Sequence, residues 1–376
     1  MDPRSRWLAS IAVVALACGG DASSGGTEPH VVGDDTSGTA AGSDGPGMHD
    51  ASGAAATSTS PTTGPDTGSV GDTDDGSGDT TTGAPTIEPI TIAVVSDLNG
   101  SYGSTTYQAE VHAATAAIVA LQPDVVLSTG DMVAGQQAGL DYHAMWAGFH
   151  AAVSDPLAAA GIPFAVSPGN HDASGYGGFA DERQIYVDEW AARKPDVQWL
   201  DDTAWPLSYS FTLGSVLFVA VDSTTIGPLP AAHMTWIEDQ LLAGADQPVK
   251  ILYGHVPLYP FAQGREDEVI GDAALEDMLV AHDVTMFVSG HHHAYYPGRK
   301  GELGLVSMAC LGAGPRALIG DGPTSPRSIL RIEVAGDGTV EVLDAYGGAA
   351  FDEPVARRTL PASLSYGGVT ITRDDL

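Results

Sequence analysis

Asp97-Leu98-Asn99, Gly130-Asp131-Met132-Val133, Gly169-Asn170-His171-Asp172, Gly254-His255 and Gly290-His291-His292-His293 follow one another along the chain, each just after an apolar run. Those runs are Ile90–Val95, Val125–Leu127, Ile162–Val166, Val249–Tyr253 and Val284–Val288. Short apolar segments rich in β-branched residues and ended by Gly or Asp predict buried strands. Helical periodicity occupies residues 107–121, stopping at Gln122-Pro123, and recurs at 231–242 and 272–281. Tyr209–Leu213 and Val216–Val221 read as an antiparallel pair turning at Gly214-Ser215, and Ile329–Val334 and Val340–Leu343 as two further strands. Strands alternating with helices define an α/β fold. In such folds ligands bind beyond the C-terminal strand ends, so the polar signatures are expected to converge on one site. Their glycines allow the tight turns that bring the donors inward.

The donors are Asp, Asn and His with no Cys, a set suited to Mn, Fe or Zn rather than to thiolate-bound metals. Each signature alone is weak, but the series D-x-N, GD, GNHD, GH, GHxH resembles the calcineurin-like metallophosphoesterases over roughly residues 90–295. That resemblance implies a four-layer α/β/β/α sandwich, two divalent metal ions and hydrolysis of a small phosphorylated substrate, a phosphomonoester or phosphodiester. It implies that Asp131 bridges the ions, that Asp97 and His293 bind the first, and that Asn170, His255 and His291 bind the second. A metal-bridging water would lose a proton and attack phosphorus in line. His171 would stabilise the transition state or protonate the leaving group, with Asp172 orienting its imidazole.

One position departs from the pattern. The family has histidine where this chain has Asn99, a neutral and weaker donor. The first ion is then loosely held, is a harder ion, or gains another ligand, with Tyr102 a candidate. Ala134 stands where purple acid phosphatases carry their iron-binding tyrosine, which disfavours that subgroup.

Plainer readings compete. Asp97 or Asp131 alone would pass as a turn cap. His292 is expected to be a spacer, because alternate residues of a strand or turn point opposite ways. His112, His143, His150, His233 and His282 read as structural or surface residues. Arg183, Arg265 and Arg299 are scarce cations able to grip phosphate, although surface ion pairing is the expectation for each. The loop Val256–Arg265 would wall the site, and Tyr295 and Tyr296 either stack on a substrate ring or pack. A catalytically inactive metal-binding module of the same fold, for which only Asn99 speaks, and a nuclease are the alternative functions.

Net charge is −33 for 376 residues, and residues 1–86, with twelve acidic and two basic side chains, leave −23 on residues 87–376. A surface this acidic repels phosphate backbones and disfavours nucleic acid as a partner. Residues 1–18 read as an export signal: Arg4 and Arg6, an apolar run too short to span a membrane, then Cys18. The junction resembles the lipobox of bacterial lipoproteins, which implies a lipid anchor on Cys18 and an extracytoplasmic, membrane-tethered protein. Ordinary cleavage near an Ala-x-Ala site and secretion is the alternative. Residues 19–86 hold eleven acidic residues, no Lys or Arg and no aromatic residue, so they are expected to be a disordered tether. A random coil of that length spans roughly 45 Å. The folded domain is expected over 87–376. With Cys18 lipidated, Cys310 has no disulfide partner and reads as a small core residue.

Overall fold

Successive side chains of a strand face opposite ways, and in β1 (Ile90–Val95) both faces are apolar. Ile92 and Val94 enter one buried cluster, while Ala93 and Val95 enter another. A strand apolar on both faces requires cover on both sides, and that requirement generates the layers. The computed structural model describes residues 88–376 apart from residue 313. The predicted signal, Cys18 and the acidic tract lie outside the described residues.

After β1 come β2 (Val125–Ser128), β3 (Phe164–Val166), β4 (Gln198–Ala204), β5 (Ser208–Leu213), β6 (Val216–Ala220), β7 (Val249–Gly254) and β8 (Met286–Ser289). Then follow β9 (Tyr296–Lys300), β10 (Leu303–Ser307), β11 (Ile329–Val334), β12 (Val340–Gly347), β13 (Glu353–Pro354), β14 (Ser363–Tyr366) and β15 (Val369–Arg373). One sheet has the order β13-β12-β11-β1-β2-β3, and the other β14-β15-β9-β10-β8-β7-β6-β5-β4. β1, β2 and β3 are mutually parallel, as are β6, β7, β8 and β10. Parallel neighbours need crossovers, which the helices supply.

The helices are α1 (Ala109–Leu121), α2 (Tyr142–Phe149), α3 (Asp155–Ala159), α4 (Asn170–Ala173), α5 (Ala180–Ala191), α6 (Ala231–Ala243) and α7 (Ala273–Ala281), with a π-helical stretch His150–Ser154 between α2 and α3. The sheets pack face to face through Ile92, Val94, Leu127, Phe211, Phe218, Ile251, Val288 and Ile332. The outer face of the first sheet is covered by Val111 and Ile118 of α1, by Trp146 and Phe149 of α2 and by Trp190 of α5. Ile237 and Leu241 of α6 with Leu275 and Leu279 of α7 cover the outer face of the second. The result is the expected helix, sheet, sheet, helix sandwich. Each fully buried aliphatic side chain in these layers contributes roughly 1.5–3 kcal/mol.

The expected strands and helices appear with shifted ends. α1 starts at Ala109 rather than at residue 107, and buried Cys310 lies in the turn beyond β10. Among the described residues no helix is long and apolar enough to cross a membrane.

Candidate metal centre

The parallel strands deliver their C-terminal ends to one edge of the sandwich. β1, β2 and β3 lead to Asp97, Asp131 and Asn170, whereas β7 and β8 lead to His255, His291 and His293. Gly130 and Gly169 make the approach possible. A Cβ on Gly169 would lie 2.1 Å from the Asp131 backbone nitrogen, and one on Gly130 would lie 2.6 Å from the Gly169 Cα. Cross-loop hydrogen bonds fasten the turns: Asp97 N–H donates to the Gly130 carbonyl at 3.0 Å, Asn99 N–H to the Asp131 carbonyl at 3.0 Å, and His291 N–H to Asp97 Oδ2 at 3.2 Å.

Four of the donor residues occupy left-handed backbone conformations: Asp97, Asp131, His291 and His293 have φ of 49°, 55°, 64° and 52°. A residue with a Cβ sits there at a cost of about 1–2 kcal/mol. Strain gathered on the donors of one cluster marks a site whose geometry the surrounding fold imposes.

Two groups of donor atoms share Asp131. In the first, one atom each from Asp97, Asp131 and His293 lie within 4.8 Å of one another, all three residues being buried. Asp97 Oδ1 is 3.1 Å from His293 Nε2 without hydrogen-bond geometry, and neither it nor the buried Asn99 Oδ1 has a hydrogen-bond partner. Asn99 Nδ2 is 3.5 Å from Asp131 Oδ2. In the second, Asn170 Oδ1 lies 2.9 Å from His255 Nε2, His291 Nδ1 lies 3.2 Å from the same nitrogen, and Asp131 Oδ1 lies 3.4 Å from it.

The far nitrogen of each imidazole is held by an acceptor. His255 Nδ1 faces the Thr129 carbonyl at 2.9 Å, His293 Nδ1 the Gly314 carbonyl at 3.0 Å, and His291 Nε2 the Glu268 carboxylate at 2.8 Å. Those contacts hold one nitrogen of each ring and aim the other inward, the support a metal-bound histidine needs. Asn170 Oδ1 and His291 Nδ1 both converge on His255 Nε2, an arrangement that suits a shared cation once the His255 proton is displaced. Buried oxygens without donors on Asp97 and Asn99 call for another. The residues therefore fit two divalent ions: Asp97, Asn99, Asp131 and His293 around one, and Asp131, Asn170, His255 and His291 around the other.

Charge follows the same pairing. Burial pushes the Asp131 carboxyl up, but the His255 and His171 imidazoles outweigh it and hold it well below the carboxylate range. Burial of Asp97 is likewise outweighed by the charge of His293, and its pKa is lowered. His255 would be depressed by burial, yet Asp131 beside it pushes it up to about 9. His293 is raised by Asp97 against burial, while His291 is lowered, mainly by burial. In the metal-free protein the raised His255 pKa stabilises the fold fully below the free-imidazole value of about 6.5, and that contribution is lost as pH climbs through about 9. Cation uptake must displace that proton. Apparent affinity is therefore expected to rise with pH, about tenfold per unit for each proton displaced. Mn²⁺ titrations between about pH 6 and 9 measure this, and a flat affinity would contradict the assignment of His255.

His171 stands beside these groups rather than among them. Its backbone N–H donates to Asp131 Oδ1 at 2.9 Å, its Nδ1 faces the Gly135 carbonyl at 3.2 Å, and its Nε2 is 4.0 Å from Asp131 Oδ2. Gly135, not Asp172, orients the ring. The Asp172 carboxylate is buried and accepts from Val133 N–H at 2.8 Å and from Gly169 N–H at 3.1 Å, which makes it a clamp on the loops. Burial, reinforced by Asp131, pushes its pKa well above the ordinary range. His292 does turn away, but it is buried rather than idle, accepting from Phe261 N–H at 3.1 Å.

A cleft of about 140 Å³ opens onto the centre, and His171, Tyr102, Ala134 and Arg265 line it along with Asn99, Asp131, His291 and His293. Arg265 is thus placed on the site. Arg183 instead pairs with Asp222, and Arg299 donates to the Gly301 and Leu376 carbonyls. Tyr295 and Tyr296 are packed inside the fold. Two supporting residues escaped the sequence reading. Gln136 accepts from Asn170 Nδ2 at 3.0 Å, which turns the Asn170 oxygen inward, and Glu268 carries His291. Gln136 follows the Gly130-Asp131 signature closely and was within reach; nothing in the spacing marks Glu268.

The sequence profile of the calcineurin-like phosphoesterases matches residues 90–295, more than half of the chain, and the chain belongs to that family. No curated protein sequence matches it. Among solved structures, a purple acid phosphatase from yellow lupin (Lupinus luteus) seeds is similar at 18% identity with a TM-score of 0.50, covering 67% of this chain and 52% of its own. The chain thus spans about half the length of that enzyme, and the likeness is one of fold. A dimetal phosphatase from Danio rerio aligns at 14% identity and TM-score 0.45, covering 76% of this chain and 99% of its own. The anchor protein GAP50 of the Plasmodium inner membrane complex aligns at 14% identity and TM-score 0.46, covering 69% of this chain and 84% of its own.

Proposed function

We propose that the domain is a metal-dependent hydrolase of small phosphomonoesters or phosphodiesters. The observation that carries this reading is Asp131, whose Oδ1 faces His255 and whose Oδ2 faces Asn99, with one donor group on either side. Asp97, Asn99, Asp131 and His293 would hold one divalent ion (Mn, Fe or Zn) and Asp131, Asn170, His255 and His291 another, which would supply Lewis acidity and a water nucleophile acidified to about pKa 7. The chain's own residues do the rest. Arg265 presents a guanidinium to the phosphoryl oxygens entering the cleft. His171, its Nδ1 tied to Gly135, turns Nε2 towards the leaving oxygen as proton donor. The cleft is smaller than the roughly 300 Å³ of a pocket that engulfs a whole ligand, so it accommodates the phosphoryl group while the leaving group lies outward, near the exposed Tyr102. The strongly acidic surface disfavours a nucleic acid substrate.

Purified protein incubated with Mn²⁺ and p-nitrophenyl phosphate, or its bis-ester, tests the proposal, with turnover of at least one expected. No turnover with any divalent metal, despite two bound ions, would sink it and leave a metal-binding module in its place. Asn99→His adds a stronger donor to the first group. It is expected to tighten one equivalent on the order of tenfold, the scale of single-residue effects around metals. Unchanged affinity and stoichiometry would remove Asn99 from the ligand set.

A further inference from the structure

Glu268 lies in the loop between β7 and α7, far in sequence from every strand end that builds the site. Its Oε2 meets two partners at once, the His291 Nε2 at 2.8 Å and the Arg265 Nη1. Its backbone is fixed as well, because the Glu268 carbonyl accepts from His292 Nε2 at 3.1 Å. His255 and His293 donate to backbone carbonyls, so among the three inward-facing imidazoles only His291 rests on a carboxylate.

We propose that Glu268 is a positioning residue whose one oxygen joins a ligand of the second cation, His291, to the substrate-facing Arg265. By taking the Nε2–H it leaves the His291 lone pair on Nδ1, the atom 3.2 Å from His255 Nε2. A carboxylate also makes the ring a better donor than a carbonyl does. The same oxygen holds Arg265 at the cleft that His291 lines, so the metal side and the phosphate side of the pocket share one support. A lone surface ion pair between Arg265 and Glu268 would contribute little and would leave metal binding untouched. The third partner, His291, is what gives the pair a function. The inference rests on the two-cation reading of the site.

Isothermal titration of the full chain with Mn²⁺, without substrate, tests it. The wild type is expected to bind two equivalents. Glu268→Ala is expected to weaken one of them about 10–100-fold and to spare the other. Glu268→Gln, whose amide oxygen can still accept the Nε2–H, is expected to recover most of that loss. Arg265→Met is expected to keep both equivalents while raising the KM for p-nitrophenyl phosphate more than it lowers kcat. Should the alanine variant not fold, Glu268→Leu keeps the volume without the acceptor and reads the same quantity. Two equivalents of wild-type affinity in Glu268→Ala or Glu268→Leu would overturn the proposal. Equal weakening of both equivalents with a lowered melting temperature would overturn it too, as a merely structural role. A wild type that binds fewer than two equivalents would instead overturn the two-cation reading, and this inference with it.

Discussion

Asp131→Ala is expected to bind neither cation and to hydrolyse no phosphoester above the uncatalysed rate. Asp131 faces both donor groups, with Oδ1 3.4 Å from His255 Nε2 and Oδ2 3.5 Å from Asn99 Nδ2. Its loss takes a ligand from each cation and leaves three candidates around either. It also removes the acceptor of the His171 N–H and the counter-charge that raises His255 to about 9. Breaking a buried pair from one side costs about 3–5 kcal/mol, so the metal-free variant is expected to melt earlier at neutral pH, where His255 is otherwise charged. Asp131→Asn separates the two effects, because it keeps the volume and the hydrogen-bonding oxygen while losing the charge. Metal analysis of both variants after dialysis is the check. Two retained equivalents in either would mean that Asp131 is not the bridge.

For His171→Ala the expectation is the opposite pattern, with both cations bound and turnover lowered about a hundredfold or more, the scale of a lost general acid. The reason lies in which atoms the substitution removes. The interaction that ties residue 171 to the centre is its backbone N–H on Asp131, which alanine retains. What disappears is the imidazole, whose Nε2 faces the cleft once Nδ1 is held by Gly135. If the variant lost metal instead, His171 would be a ligand or a structural prop rather than a proton donor. Asp172→Asn is the natural companion. Its oxygens hold loop N–H groups rather than the ring, so any effect of that change passes through the loops.

Where the sequence was legible, the physics was local. A strand buried on both faces is apolar throughout, a glycine next to it marks a turn, and the donor after the glycine follows from the motif. Asp131, Asn170, His255 and His291 announce themselves this way, while Asp97 follows its strand through Ser96 and His293 stands two residues past His291. Glu268 does not announce itself, since the course of its loop is set by packing and only the fold brings it to His291. Asp172 misled because adjacency in sequence is not adjacency in space. Neighbours on α4 diverge by about 100°, and Asp172 points at the loops rather than at the His171 ring.

The fold has the same two regimes. Tyr142, Met145, Trp146, Phe149, Val153 and Leu157 recur at helical spacing, and that face runs on through the π-helical stretch His150–Ser154 that joins α2 to α3. β9 contains Pro297-Gly298, which reads as a turn. It is a strand nonetheless, paired through Pro297 opposite Val306, because its neighbours β10 and β15 hold it in place. The edge strand β4, Gln198–Ala204, carries two aspartates and hides no apolar stripe for a pattern to reveal.

A crystal structure of the protein loaded with Mn²⁺ and phosphate, with anomalous scattering used to locate the ions, tests the central claim most directly. The expected result is two peaks: one among Asp97, Asn99, Asp131 and His293, the other among Asp131, Asn170, His255 and His291, with phosphate between Arg265 and His171. A single peak, or two peaks that do not share Asp131, would contradict it.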